Sequence, residues 1–201
     1  MISLRTGSPR DLFWNFARAE FEVPAQGPRH RQPTIRNLLR ERVLHGARNR
    51  LSKADWEDLG SAVLSTRADL LRPRIDLGMR WYLATLPPDP LPRVRVMKLR
   101  IFAPLAPERT LDEFVTSLDR GAVPRVWSRS NYRRLRSTFE PSRMHGLPIL
   151  VAVRPSGPYV ILEGTTRLSV VLSQQRAGEL PRAAIPVVLG VGRLLRRWEF
   201  Y

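Results

Sequence analysis

Apolar residues recur every three or four positions through the first third of the chain, which is typical of amphipathic helices. This spacing predicts a helix over Asp11–Glu20 and a second helix with Leu38 on its apolar face. A third predicted helix begins at a capping-box pair, Ser52 with Asp55, and ends at Pro73. The first part of the chain is therefore expected to be helical.

After the third helix the pattern changes to alternating positions and short apolar runs, which indicate strands. We predict strands at Trp81–Leu86, Val94–Phe102, Leu147–Arg154, Pro158–Glu163 and Ala184–Val191. Helices are predicted at Thr110–Leu118, Ser128–Phe139 and Thr165–Arg176. Pro155-Ser156-Gly157 separates two of the apolar runs and predicts a hairpin turn.

This order of elements predicts an α/β (α+β) fold. We expect a small mixed sheet flanked by helices over residues 79–201. Residues 1–78 are expected to form a helical N-terminal extension.

The composition supports a folded domain and narrows the chemistry. Of 201 residues 43% are hydrophobic, which suffices for a core. There is no cysteine, so disulfides, thiolate metal sites and cysteine nucleophiles are excluded. No apolar run is long enough to span a bilayer, and Met1–Gly7 lacks a signal-peptide pattern. We therefore expect a cytoplasmic protein with no membrane partner.

The formal net charge of +16 favours anionic partners such as nucleotides, nucleic acid or acidic protein faces. Only Lys53 and Lys98 among the 34 basic residues are lysine, and the arginines are spread along the whole chain. An arginine bias of this kind also fits a GC-rich gene. The charge therefore keeps nucleic-acid binding open without establishing it.

The segment with the clearest chemistry is the turn from Glu163 to Arg167. Gly164 follows a predicted buried strand and opens a helix, whose first amides lack partners and carry partial positive charge. With the hydroxyls of Thr165 and Thr166 and the guanidinium of Arg167, these amides suit a phosphate. Glu163 stands beside them as a metal ligand or base. The alternative is a plain tight turn with Arg167 in solvent.

This turn resembles the signature of the ParB/sulfiredoxin superfamily, in which a strand ends in Asp/Glu-Gly, followed by two variable residues and Arg. The matching residues are Glu163–Arg167. The preceding order of strand, capped helix and Pro-Ile-x-Val strand is matched by Val96–Phe102, Thr110–Leu118 and Pro148–Val151. The resemblance covers about residues 94–191.

The resemblance implies binding of a nucleoside di- or triphosphate (ATP, ADP or CTP) on Gly164, Thr165, Thr166 and Arg167. It also implies that Glu163 holds Mg²⁺ or takes a proton from an acceptor, as in a phosphotransferase or nucleotide hydrolase. Sulfinic acid reduction is excluded because Thr165 replaces the cysteine used there. Two alternatives remain: a DNA- or RNA-binding protein or nuclease that uses a basic cleft, and a non-catalytic interaction module.

A second basic segment precedes the turn. We expect four of its arginines to be exposed, namely Arg129, Arg133, Arg134 and Arg136. The same helical geometry turns three residues inward, namely Trp127, Tyr132 and Leu135. Such a face suits the phosphates of a nucleotide or of a nucleic-acid backbone, and it is also compatible with an ordinary solvated helix.

Other sites are not supported by the sequence. There is no Walker A lysine motif, and Gly190-Val-Gly192 lacks the third glycine of a dinucleotide fingerprint. The three histidines lie far apart and show no metal-ligand spacing. If the turn binds phosphate, Arg167→Ala is expected to lower ligand affinity far more than stability.

Overall fold

The computed structural model describes residues 3–22, 35–76, 78–125, 129–140, 146–198 and 201. Within these ranges the strands are β1 (Ser3–Thr6), β2 (Arg80–Leu86), β3 (Ile149–Ala152), β4 (Tyr159–Glu163) and β5 (Ile185–Val191). They form one sheet in the order β1-β2-β5-β3-β4. The β3–β5 pair is parallel and the other neighbouring pairs are antiparallel, so the sheet is mixed.

The helices in the described ranges are α1 (Pro9–Glu22), α2 (Asn37–Leu44), α3 (Lys53–Asp76), α4 (Leu111–Asp119), α5 (Arg129–Thr138) and α6 (Thr165–Arg176). Side chains of α1, α2 and α3 join a core on one face of the sheet, while those of α4, α5 and α6 join the core on the other. The predicted α/β class is confirmed. In the part of the chain that the structure describes, no helix has the length and apolar character to cross a membrane.

Alternation along the central strands explains why the sheet has two apolar faces. Val187 and Leu189 belong to the core beneath α4 and α6, whereas Val188 between them belongs to the core beneath α1. Because successive strand residues point to opposite faces, a nearly continuous apolar run such as β5 is buried on both sides.

The N-terminal part of the chain contributes directly to this sheet. Strand β1 pairs antiparallel with β2 from Ser3 opposite Thr85 to Thr6 opposite Tyr82. Phe16 of α1 packs in the same core as strand residues beyond position 78. The sheet and this core therefore both cross the boundary expected at residue 78, and the division into two domains stays a prediction.

Most of the predicted helices and strands are confirmed. In α4, local contacts near each end explain where the helix begins and ends. Its N-cap, Thr110, accepts a hydrogen bond from the Glu113 amide at 3.2 Å, and the Glu113 carboxylate accepts one from the Thr110 amide at 3.4 Å. This capping box fixes the start of the helix. Gly121 follows its last turn with φ of +86°, a left-handed conformation that ends helices.

The strand predicted at Val94–Phe102 is wrong. Only Arg95 pairs with β4: its amide donates to the Tyr159 carbonyl, and its own carbonyl accepts from the Ile161 amide, each at 2.8 Å. The chain then turns at Met97–Leu99, and no ladder develops. Val94 and Val96 are buried without a strand, so the alternation reflected burial alone. The early strand required by the ParB/sulfiredoxin pattern is therefore absent from this segment.

Three smaller corrections concern the N-terminal part. Helix α2 leaves Leu38 exposed at 65% rather than in the core, and α3 continues past Pro73 to Asp76. A proline so close to a helix end removes only one hydrogen bond of the last turn. The short edge strand β1 was not predicted, because its four residues are too few to show a period.

Candidate functional site

The turn from Glu163 to Arg167, termed here the Gly164 turn, has the predicted backbone. Strand β4 ends at Glu163 and α6 begins at Thr165, with Gly164 between them at φ +93°. A Cβ atom on Gly164 would lie 3.0 Å from the Cβ and 3.1 Å from the Cα of Pro148. Both the left-handed backbone and this close approach require glycine. The predicted strand-to-helix junction is confirmed.

Arg167 does not extend from this turn into solvent. Its guanidinium donates hydrogen bonds to the Gly146 carbonyl and to the Glu163 carboxylate, and its side chain is 12% exposed. The Gly164 amide lowers the pKa of this carboxylate. The Arg167 guanidinium, one of the donors expected to hold a phosphate, is thus already bound to the protein's own carboxylate. Phosphate binding at the Gly164 turn stays a prediction, and it requires displacement of Glu163.

Burial raises the pKa of Glu163, and the neighbouring Glu20 raises it further, while the Arg167 guanidinium opposes both effects. The carboxylate that would ligate Mg²⁺ is instead neutralised by this guanidinium. In the described residues no group of three or more acidic or histidine side chains could hold a metal ion. The donor set at Glu163 does not fit magnesium, and a catalytic role for this residue stays a prediction.

The two threonines of the turn differ in accessibility. Thr165 is buried, and its carbonyl accepts a hydrogen bond from the Ser169 hydroxyl at 2.8 Å. Thr166 is half-buried. Of the two threonines, only Thr166 has a partly accessible side chain. The turn therefore presents fewer hydrogen-bond donors to solvent than its sequence predicted.

The arginine-rich helix α5 largely has the predicted faces. Arg129, Arg133 and Arg134 are exposed, whereas Tyr132 is buried at 5% exposure and Leu135 packs half-buried against the core. Trp127 lies outside the described residues. The exposed and buried sides follow from the three- and four-residue spacing used to predict them.

Arg136 departs from the prediction of an exposed side chain. Its Nε donates to the Ser173 hydroxyl at 2.9 Å, and its Nη2 pairs with Glu179, also at 2.9 Å. Arg136 follows Tyr132 by four positions, so it lies beside the buried side of α5 and faces α6. Its guanidinium is held by these two contacts and is partly exposed.

A cavity of about 330 Å³ lies between the end of α4 and α5. We term it the arginine pocket, because its lining includes four arginines, Arg120, Arg129, Arg133 and Arg136. Asp119 is the one carboxylate among its described lining residues. Asp119 in the lining and Glu179, which pairs with Arg136, offset two of the four guanidinium charges, so a local excess of two positive charges remains.

Most of these arginines have no counterion in the described part of the chain. Arg120, Arg129 and Arg133 form no ion pair or side-chain hydrogen bond with any described residue. Some arginines elsewhere, such as Arg48 with Asp11 and Arg176 with Asp112, form ion pairs, whereas others, such as Arg93 and Arg193, form none with a described residue. The pocket therefore gathers positive charge that the rest of the described fold does not neutralise.

A buried serine fixes one wall of the pocket. The Ser173 hydroxyl is 2% exposed, donates to Asp119 Oδ1 at 2.7 Å and accepts from Arg136 Nε. Burial, with Asp119 nearby, raises the pKa of Tyr132 to about 12. Tyr132 is therefore neutral at physiological pH and adds no negative charge.

Asp119 and Arg120 were not predicted as site residues from the sequence. A basic residue at a helix C-terminus is usually explained by the helix dipole, so Arg120 gave no sign of a shared site. What brings it opposite Arg129 and Arg133 is the packing of α4 and α5 against the same sheet face.

No protein-family model, curated protein or solved structure matches the chain. The membership suggested by the Gly164 turn accordingly stays a prediction.

Proposed function

We propose that the protein binds a nucleotide through its phosphates, and that the arginine pocket is the binding site. One observation carries the proposal: Arg120, Arg129 and Arg133 line one cavity and lack counterions among the described residues. Like charges gathered in this way repel each other, and a bound anion removes the penalty. One guanidinium group can bind two oxygens of a phosphate through two parallel, directional hydrogen bonds.

The size of the cavity supports a small-molecule ligand. A volume of about 330 Å³ lies at the lower end of the roughly 300–1,000 Å³ usual for ligand sites. The proposal covers binding, not phosphoryl transfer. Asp119 is the one described lining residue with the charge of a general base, and its Oδ1 already accepts from Ser173.

A nucleic-acid backbone is the second candidate, and one observation favours it. Arg134 is exposed on α5 but does not line the pocket. Together with Arg133 it extends the basic surface beyond the cavity. A nucleic-acid backbone lying along α5 would contact both Arg133 and Arg134, whereas a nucleotide in the pocket would contact Arg133 but not Arg134.

Arg133→Glu and Arg134→Glu form a matched pair that separates the candidates. If a nucleotide binds in the pocket, Arg133→Glu lowers the affinity for fluorescent ADP at least tenfold, since a charged hydrogen bond contributes about 1.5–3 kcal/mol. Arg134→Glu leaves it within about twofold. Fluorescence anisotropy measures the affinity, and thermal melts check that both variants fold.

The proposal fails if neither substitution changes ADP binding. It also fails if both weaken single-stranded DNA binding equally while ADP does not bind. In that case the logarithm of the DNA affinity should fall steeply with the logarithm of salt concentration, with a shallower slope in each variant.

A further inference from the structure

We infer that the protein contains a built-in competitor for the ligand of the arginine pocket: Glu179, which pairs with Arg136 at the pocket wall. The inference rests on the proposed function and concerns how the affinity of that site is set. Neutralising Glu179 is expected to strengthen anion binding.

Arg136 belongs to the pocket and to an ion pair at the same time. It lines the cavity together with Arg129 and Arg133, and its Nη2 lies 2.9 Å from a carboxylate oxygen of Glu179. Glu179 itself is not among the residues that line the cavity. The carboxylate partner of Arg136 therefore lies outside the space into which a ligand phosphate would bind.

The hydrogen bonds of Arg136 leave part of its guanidinium for a ligand. A guanidinium group has five N–H donors. Its Nε donates to the Ser173 hydroxyl at 2.9 Å, and its Nη2 donates to Glu179. Nη1 forms no hydrogen bond with any described residue. A phosphate oxygen bound to Nη1 would share the positive charge that Glu179 already neutralises.

Ser173 keeps this guanidinium beside the pocket. The buried serine hydroxyl accepts from Arg136 Nε and donates to Asp119 Oδ1 on the pocket wall. The Gln174 side-chain amide also donates to the Arg136 carbonyl, at 2.8 Å. Because none of these contacts involves Glu179, we expect Arg136 to stay beside the cavity when the charge of Glu179 is removed.

The ion pair of Glu179 with Arg136 is accessible to a competing anion. The Glu179 side chain is 47% exposed, compared with 21% for Glu163, which pairs with Arg167 in the Gly164 turn. Solvent screens an exposed pair, so it contributes little to stability and is readily replaced. The Glu179 carboxylate both occupies the guanidinium and repels a phosphate by its own charge. Both effects lower ligand affinity, and both are lost when the carboxylate becomes an amide.

Glu179→Gln tests the inference, because the amide keeps an oxygen for Arg136 but loses the charge. Fluorescence anisotropy at low ionic strength should show that fluorescent ADP binds about two- to fivefold more tightly, the range that an exposed ion pair supports. High salt should reduce this gain by screening. Glu57→Gln is the matched control, since it removes the same charge from an exposed ion pair with Lys53 on the other side of the sheet. It should leave ADP affinity unchanged.

Arg136→Ala separates competition for this guanidinium from a general effect of charge. In that background most of the gain from Glu179→Gln should be lost, because the two substitutions act on one contact. Thermal melts check that all variants fold. The inference is overturned if Glu179→Gln does not raise ADP affinity, if Glu57→Gln raises it equally, or if the full gain persists without Arg136. If Arg133→Glu still weakens ADP binding in these cases, the proposed function stands without the inference. If ADP does not bind at all, both are wrong.

Discussion

Arg167→Ala tests whether the Gly164 turn is a ligand site or a structural lock. The substitution removes the hydrogen bonds to the Gly146 carbonyl and to the Glu163 carboxylate. It leaves Glu163, which is 21% exposed, without its cation. Breaking a buried ion pair costs about 3–5 kcal/mol. Because the carboxylate retains some solvent, we expect about 3 kcal/mol.

For a chain of this length, a loss of about 3 kcal/mol lowers the melting temperature by roughly 6–12 °C. Thermal and urea unfolding at pH 7 measure this loss, and calorimetry measures pyrophosphate affinity, which we expect to stay within twofold. The geometry thus reverses the expectation from sequence that Arg167 affects ligand affinity more than stability.

A double-mutant cycle provides the control. Glu163→Gln removes the charge that Arg167 neutralises, so the double variant should lose less stability than the two single losses added together. A coupling free energy of about 1–3 kcal/mol is expected for neighbours of this kind. The reasoning is refuted if Arg167→Ala melts within about 2 °C of the wild type while pyrophosphate affinity falls more than tenfold.

Three further predictions concern single residues. Burial raises the pKa of Glu163, so the folded chain holds the proton of this carboxyl to a higher pH than the unfolded chain does. The stability that this proton contributes is fully present below about pH 4.5 and is lost as the pH rises through the folded-state pKa. The unfolding free energy of the wild type minus that of Glu163→Gln should therefore fall between pH 4 and 7 in urea titrations, and a rise would contradict this. Gly164→Ala should cost about 2–4 kcal/mol, from the left-handed backbone and the contact with Pro148; a loss below about 0.5 kcal/mol in urea unfolding would mean that the turn relaxes. Thr110→Ala should cost about 1 kcal/mol by removing the capping box, and thermal melts should show that Thr110→Ser retains most of that stability.

Predictions from sequence succeeded where structure depends on residues close together in the chain. The capping box at Thr110, the left-handed Gly164 and the hairpin between β3 and β4 each follow from contacts over short stretches of sequence. Glycine conformations, caps and tight turns are set mainly by local backbone geometry. These features fixed the order of elements and the position of the Gly164 turn.

Predictions failed where the partner of a residue is distant in sequence. Val94–Phe102 alternates like a strand, yet Arg95 alone finds a backbone partner on β4. Whether an alternating segment becomes a strand depends on a neighbouring edge with free hydrogen-bonding groups, which its own sequence does not specify.

The two candidate sites show the same division. The sequence by itself determined that a glycine turn and an arginine-rich helix exist, because backbone conformation and helical spacing are local properties. Tertiary packing decided which arginines remain without counterions. It placed Gly146 within reach of Arg167, so that this guanidinium is bound internally, and it set Arg120 beside α5 to complete the arginine pocket. Side-chain charges act through space, and only the fold sets those distances.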